Sequence, residues 1–153
     1  MNRFQPEKDL LKDLSFRLLA EGKMLRIRSD GYSMYPQIKP GSFLLIEPVP
    51  DASVLKENDI VAWKRSSGMV VHRLIRIENS ESSTKYITRG DSCLREDEEL
   101  GNDQIVGRVI RIATGDKFEK NNLIYSDKIN YKLNHLIVKL LLIRDKIHRI
   151  FDY

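Results

Sequence analysis

Between residues 24 and 112 the sequence is a succession of short apolar segments, each closed by turn-forming residues. This pattern restricts the fold more than any other feature. Residues 24–28 alternate apolar and charged side chains, the period of a half-buried strand. Residues 43–47, 59–64, 69–77, 85–88 and 105–112 carry further strand-like runs. Pro48, Pro50, Ser66-Ser67-Gly68, the polar stretch 79–84 and Gly90-Asp91 stand between them as breaks. The Ser-Ser-Gly turn predicts a hairpin joining 59–64 to 69–77. The fold class expected is mainly β.

The two ends follow a different period. Residues 7–22 repeat Leu10 or Leu11, Leu14, Leu18 and Leu19 at helical spacing, and Gly22 can end the helix. Its apolar face is expected to pack on the β region. Residues 113–126 read as a connector. From residue 127 the helical period returns, with Ile129, Leu133, Leu136, Ile137, Leu140, Ile147 and Ile150 near one stripe. The organisation expected is an N-terminal helix (1–23), a β domain (24–112), a connector (113–126) and a basic C-terminal helix (127–153).

Composition narrows the function classes. With 153 residues the chain can bury a real core, and 41% hydrophobic with 31% charged residues suits an ordinary soluble protein. The net charge of +4 is weak for a dedicated nucleic-acid binder, so no nucleic-acid partner is expected. Much of that charge lies at the end, where Lys128, Lys132, Lys139, Arg144, Lys146 and Arg149 face three aspartates. Packing on the β domain or self-association is the ordinary use of such a helix, and peripheral contact with a membrane surface is a second one. The first twenty residues are interrupted by Asp9, Lys12, Asp13 and Arg17, unlike a signal peptide or a membrane span. A cytoplasmic location is expected, with surface association to a membrane as an option. Three scattered histidines and one cysteine, Cys93, form no familiar metal spacing, and no cofactor is expected. Cys93 has no partner for an intrachain disulfide and lacks the flanking residues of a cysteine nucleophile.

Chemistry is concentrated in the stretch Gly31-Tyr32-Ser33-Met34-Tyr35-Pro36-Gln37-Ile38-Lys39-Pro40-Gly41. It is too punctuated for a helix, and it sets a hydroxyl between a glycine and a proline just before an apolar run. A serine on a tight turn beside a rigid sheet suits acyl transfer, provided a base reaches it. His72, inside Met69-Val70-Val71-His72-Arg73-Leu74-Ile75, is the candidate base. A hydrogen-bonded core histidine is the structural alternative. Asp91, in Thr88-Arg89-Gly90-Asp91-Ser92, could orient an imidazole or simply cap a turn. Gly31, Tyr32, Met34 and Tyr35 are candidates to line a substrate cleft, or to pack around the turn.

These segments, in this order, resemble the boxes of type I signal peptidases. Gly31-Tyr32-Ser33-Met34-Tyr35-Pro36 with Pro40-Gly41 is similar to their Ser-Met-x-Pro box. Asn58-Asp59-Ile60-Val61 is similar to the Gly-Asp-Ile-Val strand, Val70 to Leu74 to the box of the general base, Thr88 to Asp91 to the Lys-Gly-Asp box, and Val106-Gly107-Arg108-Val109 to the closing Gly-x-Val strand. LexA-type self-cleaving repressors share the serine box. Histidine rather than lysine in the base box resembles the archaeal and endoplasmic-reticulum branch. The resemblance implies a coiled β-sheet catalytic domain and a serine endopeptidase acting on a peptide or leader. Ser33 would be the nucleophile, His72 the base, Asp91 the first-choice carboxylate and Asp97 the second. A main-chain N–H, that of Ser33 included, would hold the oxyanion. Two departures stand out. Ser92 and Cys93 occupy positions where asparagines are usual, and an amphipathic helix stands where the family's membrane span precedes the serine. A non-catalytic peptide-binding module or a LexA-like regulator on the same scaffold is the alternative.

Overall fold

The structure is a computed structural model that describes residues 5–113 and 128–151. Helix α1 (Gln5–Ala20) leads into strands β1 (Leu25–Arg28), β2 (Phe43–Pro48), β3 (Ile60–Arg65), β4 (Gly68–Asn79), β5 (Thr84–Arg89) and β6 (Ile105–Ala113), and helix α2 (Tyr131–Phe151) follows. The mainly β reading is therefore correct. Most of the connector lies outside the described residues.

All six strands form one sheet in the order β1-β2-β6-β3-β4-β5, with every pair antiparallel. The expected hairpin is present, with Arg65 opposite Gly68 and Val61 opposite His72. Gly68 has φ +144°, a conformation that favours glycine at this turn. The last strand does not lie at an edge. It inserts between β2 and β3 and joins the two halves of the sheet.

Alternation along the central strands sends side chains to two buried clusters. Ile60 and Ala62 of β3 join Leu44, Ile46, Val109, Ile112, Met34 and Ile38. Val61 and Trp63 of the same strand join Leu74, Tyr86, Leu100 and Ile105. A strand covered on both faces must be apolar throughout, which explains the run Ile60-Val61-Ala62-Trp63. Gly107 in β6 sits where a Cβ would meet Ile46 Cγ2 at 2.5 Å and the Glu47 carbonyl oxygen at 2.7 Å. Glycine is therefore required there for β6 to approach β2.

The helices pack differently from the expectation. Among the described side chains of α1 the C-terminal end meets the core, with Leu19 buried and Leu18 beside it. Leu10, Leu11 and Leu14 are exposed. Lys12 Nζ donates to the Ser66 carbonyl at 2.8 Å and ties the helix to the β3–β4 turn. In α2 the correction is larger. The docked face carries Tyr131, Asn134, His135, Val138 and Asp145, several of them held by polar contacts rather than by hydrophobic burial. Leu133, Leu136, Leu140 and Ile147, in the stripe for which packing on the β domain or self-association was expected, are exposed and do not pack on the domain. The side chain of Ile150 lies outside the described residues.

Candidate functional site

The serine turn leaves the edge strand β1 and returns to β2. Its backbone is closed by Tyr35 N–H to the Tyr32 carbonyl at 2.9 Å and Ile38 N–H to the Met34 carbonyl at 2.8 Å. Met34 and Ile38 drop into the core and anchor the turn from below. The Tyr35–Pro36 peptide bond is cis. Ser33, immediately before Met34, remains partly exposed.

A second clasp comes from across the sheet. Ser92 N–H donates to the Ser33 carbonyl at 2.9 Å. Ser92 Oγ donates to the Tyr32 carbonyl at 2.7 Å, with the Ser33 carbonyl at 3.1 Å. The serine that stands where the resembling family has asparagine thus joins the turn after β1 to the turn after β5. The Ser33 N–H donates to no acceptor among the described residues.

His72 is buried in β4 at 8% exposure. Its Nδ1 lies 2.6 Å from Asp97 Oδ2. An ionised carboxylate only accepts, so this contact puts the proton on Nδ1 and leaves the Nε2 lone pair available. Asp97 is itself held. Thr88 Oγ1 donates to Oδ2 at 2.7 Å, and Asp97 N–H donates to the Thr88 carbonyl at 2.8 Å. The Nε2 edge faces the serine turn. A point one Cβ above Gly90 lies 3.1 Å from His72 Nε2 and 2.7 Å from the Ser33 carbonyl oxygen. Ser33 and His72 line the same cleft, of about 520 Å³, together with Gly31, Met34, Ile38 and Val71. Among the described residues no hydrogen bond joins Ser33 Oγ to the imidazole.

Asp91 does not reach the histidine, and its place as first-choice carboxylate is corrected. Arg73, the neighbour of His72 that projects to the other side, takes it in a two-pronged ion pair. Nε and Oδ1 are 2.9 Å apart, and Nη2 and Oδ2 are 2.8 Å apart. Both side chains are only 2% exposed. Arg73 Nη1 also donates to the Asn58 carbonyl at 3.0 Å. The pair fixes the Gly90-Asp91 turn against β4. Asp97, the second choice, holds the position beside the imidazole.

The remaining candidates divide. Gly31 and Met34 line the cleft, and Met34 is also core. Tyr32 turns away from it. Its hydroxyl donates to Asp145 Oδ2 of α2 at 2.7 Å, and its ring meets that of Tyr35 at 6.4 Å. This contact holds the Tyr32 hydroxyl above its ordinary range and Asp145 below the usual carboxylate range, with Arg144 helping the latter. Cys93 is a free thiol, pushed up by burial and then by the Asp97 charge, which opposes a thiolate nucleophile.

A second hollow of about 530 Å³ opens on the other side of Ser33, between residues 92–97 and His135 and Val138 of α2. Helix α2 braces this wall. Asn134 Nδ2 donates to the Asp91 carbonyl at 2.9 Å, His135 Nδ1 lies 3.0 Å from the Ser92 carbonyl, and Arg89 stacks on the Tyr131 ring at 3.7 Å. The parts played by Arg73, Thr88, Ser92 and these α2 residues escaped the sequence reading. Arg73 left a signal, a charge inside an apolar strand, and Ser92 stood out only as a departure from the family's asparagine.

No family model matches the chain, and no curated protein matches it in sequence.

Proposed function

We propose that the chain is a serine endopeptidase of the signal-peptidase-like, Ser–His type, acting on a peptide or leader. The observation that carries this reading is the orientation of His72. One ring nitrogen is held by Asp97, and the other faces the cleft that Ser33 lines. The LexA and signal-peptidase likeness of the sequence boxes supports it, as does a six-stranded antiparallel sheet with the serine on the turn after the first strand.

In this mechanism Ser33 Oγ attacks the scissile carbonyl carbon while His72 Nε2 takes its proton. Asp97 keeps the Nδ1 proton in place and stabilises the imidazolium as it forms. The Ser33 N–H holds the developing oxyanion. The C–N bond then breaks, the imidazolium proton passes to the leaving amine, and a water activated by the same nitrogen releases the acyl group. An extended peptide could run along the cleft wall by main-chain pairing.

A serine-directed acylating probe tests this directly. The wild type should label at Ser33, Ser33→Ala should not, and His72→Ala should label far more slowly. Equal labelling of wild type and Ser33→Ala would remove the proposal. A peptide-binding module without catalysis is the second reading, favoured by the lack of a Ser33–His72 hydrogen bond. It requires peptide binding with no labelling of the folded wild type.

A further inference from the structure

Helix α2 docks with one face and leaves an ordered apolar seam on the other. Leu133, Leu136, Leu140, Ile143 and Ile147 are between 49% and 59% exposed. Their spacing alternates three and four residues, the a and d positions of a heptad. At 3.6 residues per turn these five fall within an arc of about 80°, with the half-exposed Leu142 outside it. So narrow a stripe suits a coiled-coil seam, whereas a helix lying in a lipid interface presents a broader apolar face.

The flanks define the partner. Lys132, Lys139 and Lys146 repeat every seven residues along one side of the seam, and Arg144 stands on the other. All four are exposed. The only acid of α2, Asp145, is turned inward onto Tyr32. A second copy of this helix fits poorly. A parallel pair would set Lys139 against Arg144, and an antiparallel pair would set the lysine row against itself. Charge complementarity calls instead for a helix with glutamate or aspartate beside its own apolar seam.

We propose that the outer face of α2 is a docking seam for an acidic amphipathic helix of a partner chain. It pairs over up to three heptads, roughly 30 Å of helix. The inner face of α2 grips the serine turn through Tyr32 and the Gly90–Asp97 wall through Asn134 and His135. The docked helix would thus lie one helix diameter from the cleft. The proposal stands whether or not Ser33 is a nucleophile.

Two synthetic peptides of three heptads test it, both with leucine and isoleucine at the seam. One carries glutamate and the other lysine at the flanking positions. Binding to the full chain is read by fluorescence anisotropy at low salt. The glutamate peptide should bind at least about tenfold tighter than the lysine peptide, since three flanking pairs change sign. The triple substitution Lys132→Glu, Lys139→Glu, Lys146→Glu should reverse the preference. Leu140→Asp should abolish binding while the circular dichroism and melting of the chain stay unchanged. Failure of both peptides to bind, or equal binding of the two, overturns the proposal. So does self-association through this face in light scattering. Sedimentation with phosphatidylglycerol vesicles without any peptide preference would assign the face to lipid and also overturn it.

Discussion

Asp97 Oδ2 approaches His72 Nδ1 to 2.6 Å, although twenty-five residues separate them in sequence. Thr88 Oγ1 donates to the same oxygen. In Asp97→Asn an amide N–H can face Nδ1 and force the proton onto Nε2, where it blocks the base. Turnover of any cleaved peptide should fall by about 10²–10⁴-fold, with the melting temperature little changed. A variant within threefold of wild type would show that the carboxylate is structural only.

Gly90 marks where the Ser33 and His72 segments come together. A Cβ there would lie 2.6 Å from Cys93 Sγ, 2.7 Å from the Ser33 carbonyl oxygen and 3.1 Å from His72 Nε2. The Ser33 carbonyl cannot give way cheaply, because Ser92 holds it. Gly90→Ala should push the serine turn off the histidine and lower kcat/KM by about 10²-fold. Gly107→Ala is the contrast, since its clash lies with Ile46 and Glu47 inside the sheet. It should cost about 1–3 kcal/mol of stability in denaturant titration. Full activity in Gly90→Ala would separate the two segments functionally.

The Arg73–Asp91 pair is buried on both sides, so deleting one partner strands the other charge. Asp91→Ala or Arg73→Met should each destabilise by about 3–5 kcal/mol. The double variant Arg73→Met, Asp91→Leu should recover much of that loss. Additive losses in the double-mutant cycle would argue against direct coupling.

The Tyr32–Asp145 bond links α2 to the serine turn and makes a pH signature. Asp145 is lowered, first by the Tyr32 hydroxyl and then by Arg144. Its stabilising contribution is present above the unfolded carboxylate value, about 3.9, and is lost as pH falls through the folded value. Tyr32 is raised, first by Asp145. Its contribution is present below about 10 and is lost as pH rises through the folded value. Tyr32→Phe should move the Asp145 carboxyl midpoint upward in a ¹³C titration. An unmoved midpoint would mean that the two groups do not meet in solution.

The strands were legible because their alternation and turn residues agree. Ile60-Val61-Ala62-Trp63, bounded by Asn58-Asp59 and Ser66-Ser67-Gly68, allows little besides a buried hairpin strand. The choice of carboxylate was not legible. Asp91 and Asp97 lie six positions apart, and the one that meets His72 is decided by Arg73, whose pull on Asp91 has no sequence periodicity. The docked face of α2 was not legible for a related reason. Hydropathy sees the leucine seam, but the docked face is chosen by discrete bonds from Asn134, His135 and Asp145. Ser92 looked like a departure from the family pattern, and its hydroxyl and amide turn out to clasp the serine turn.

The placement of β6 between β2 and β3 bears on how the chain is made. While synthesis runs toward residue 104, the nascent polypeptide holds two separate fragments, β1–β2 with Ser33 and β3–β4–β5 with His72. No strand pairing joins the two fragments except through Ile105–Ala113, and apart from it the Ser92 clasp on the Tyr32 and Ser33 carbonyls links them. A chain truncated before that keystone strand would carry Ser33 and His72 without the sheet that holds their two segments side by side.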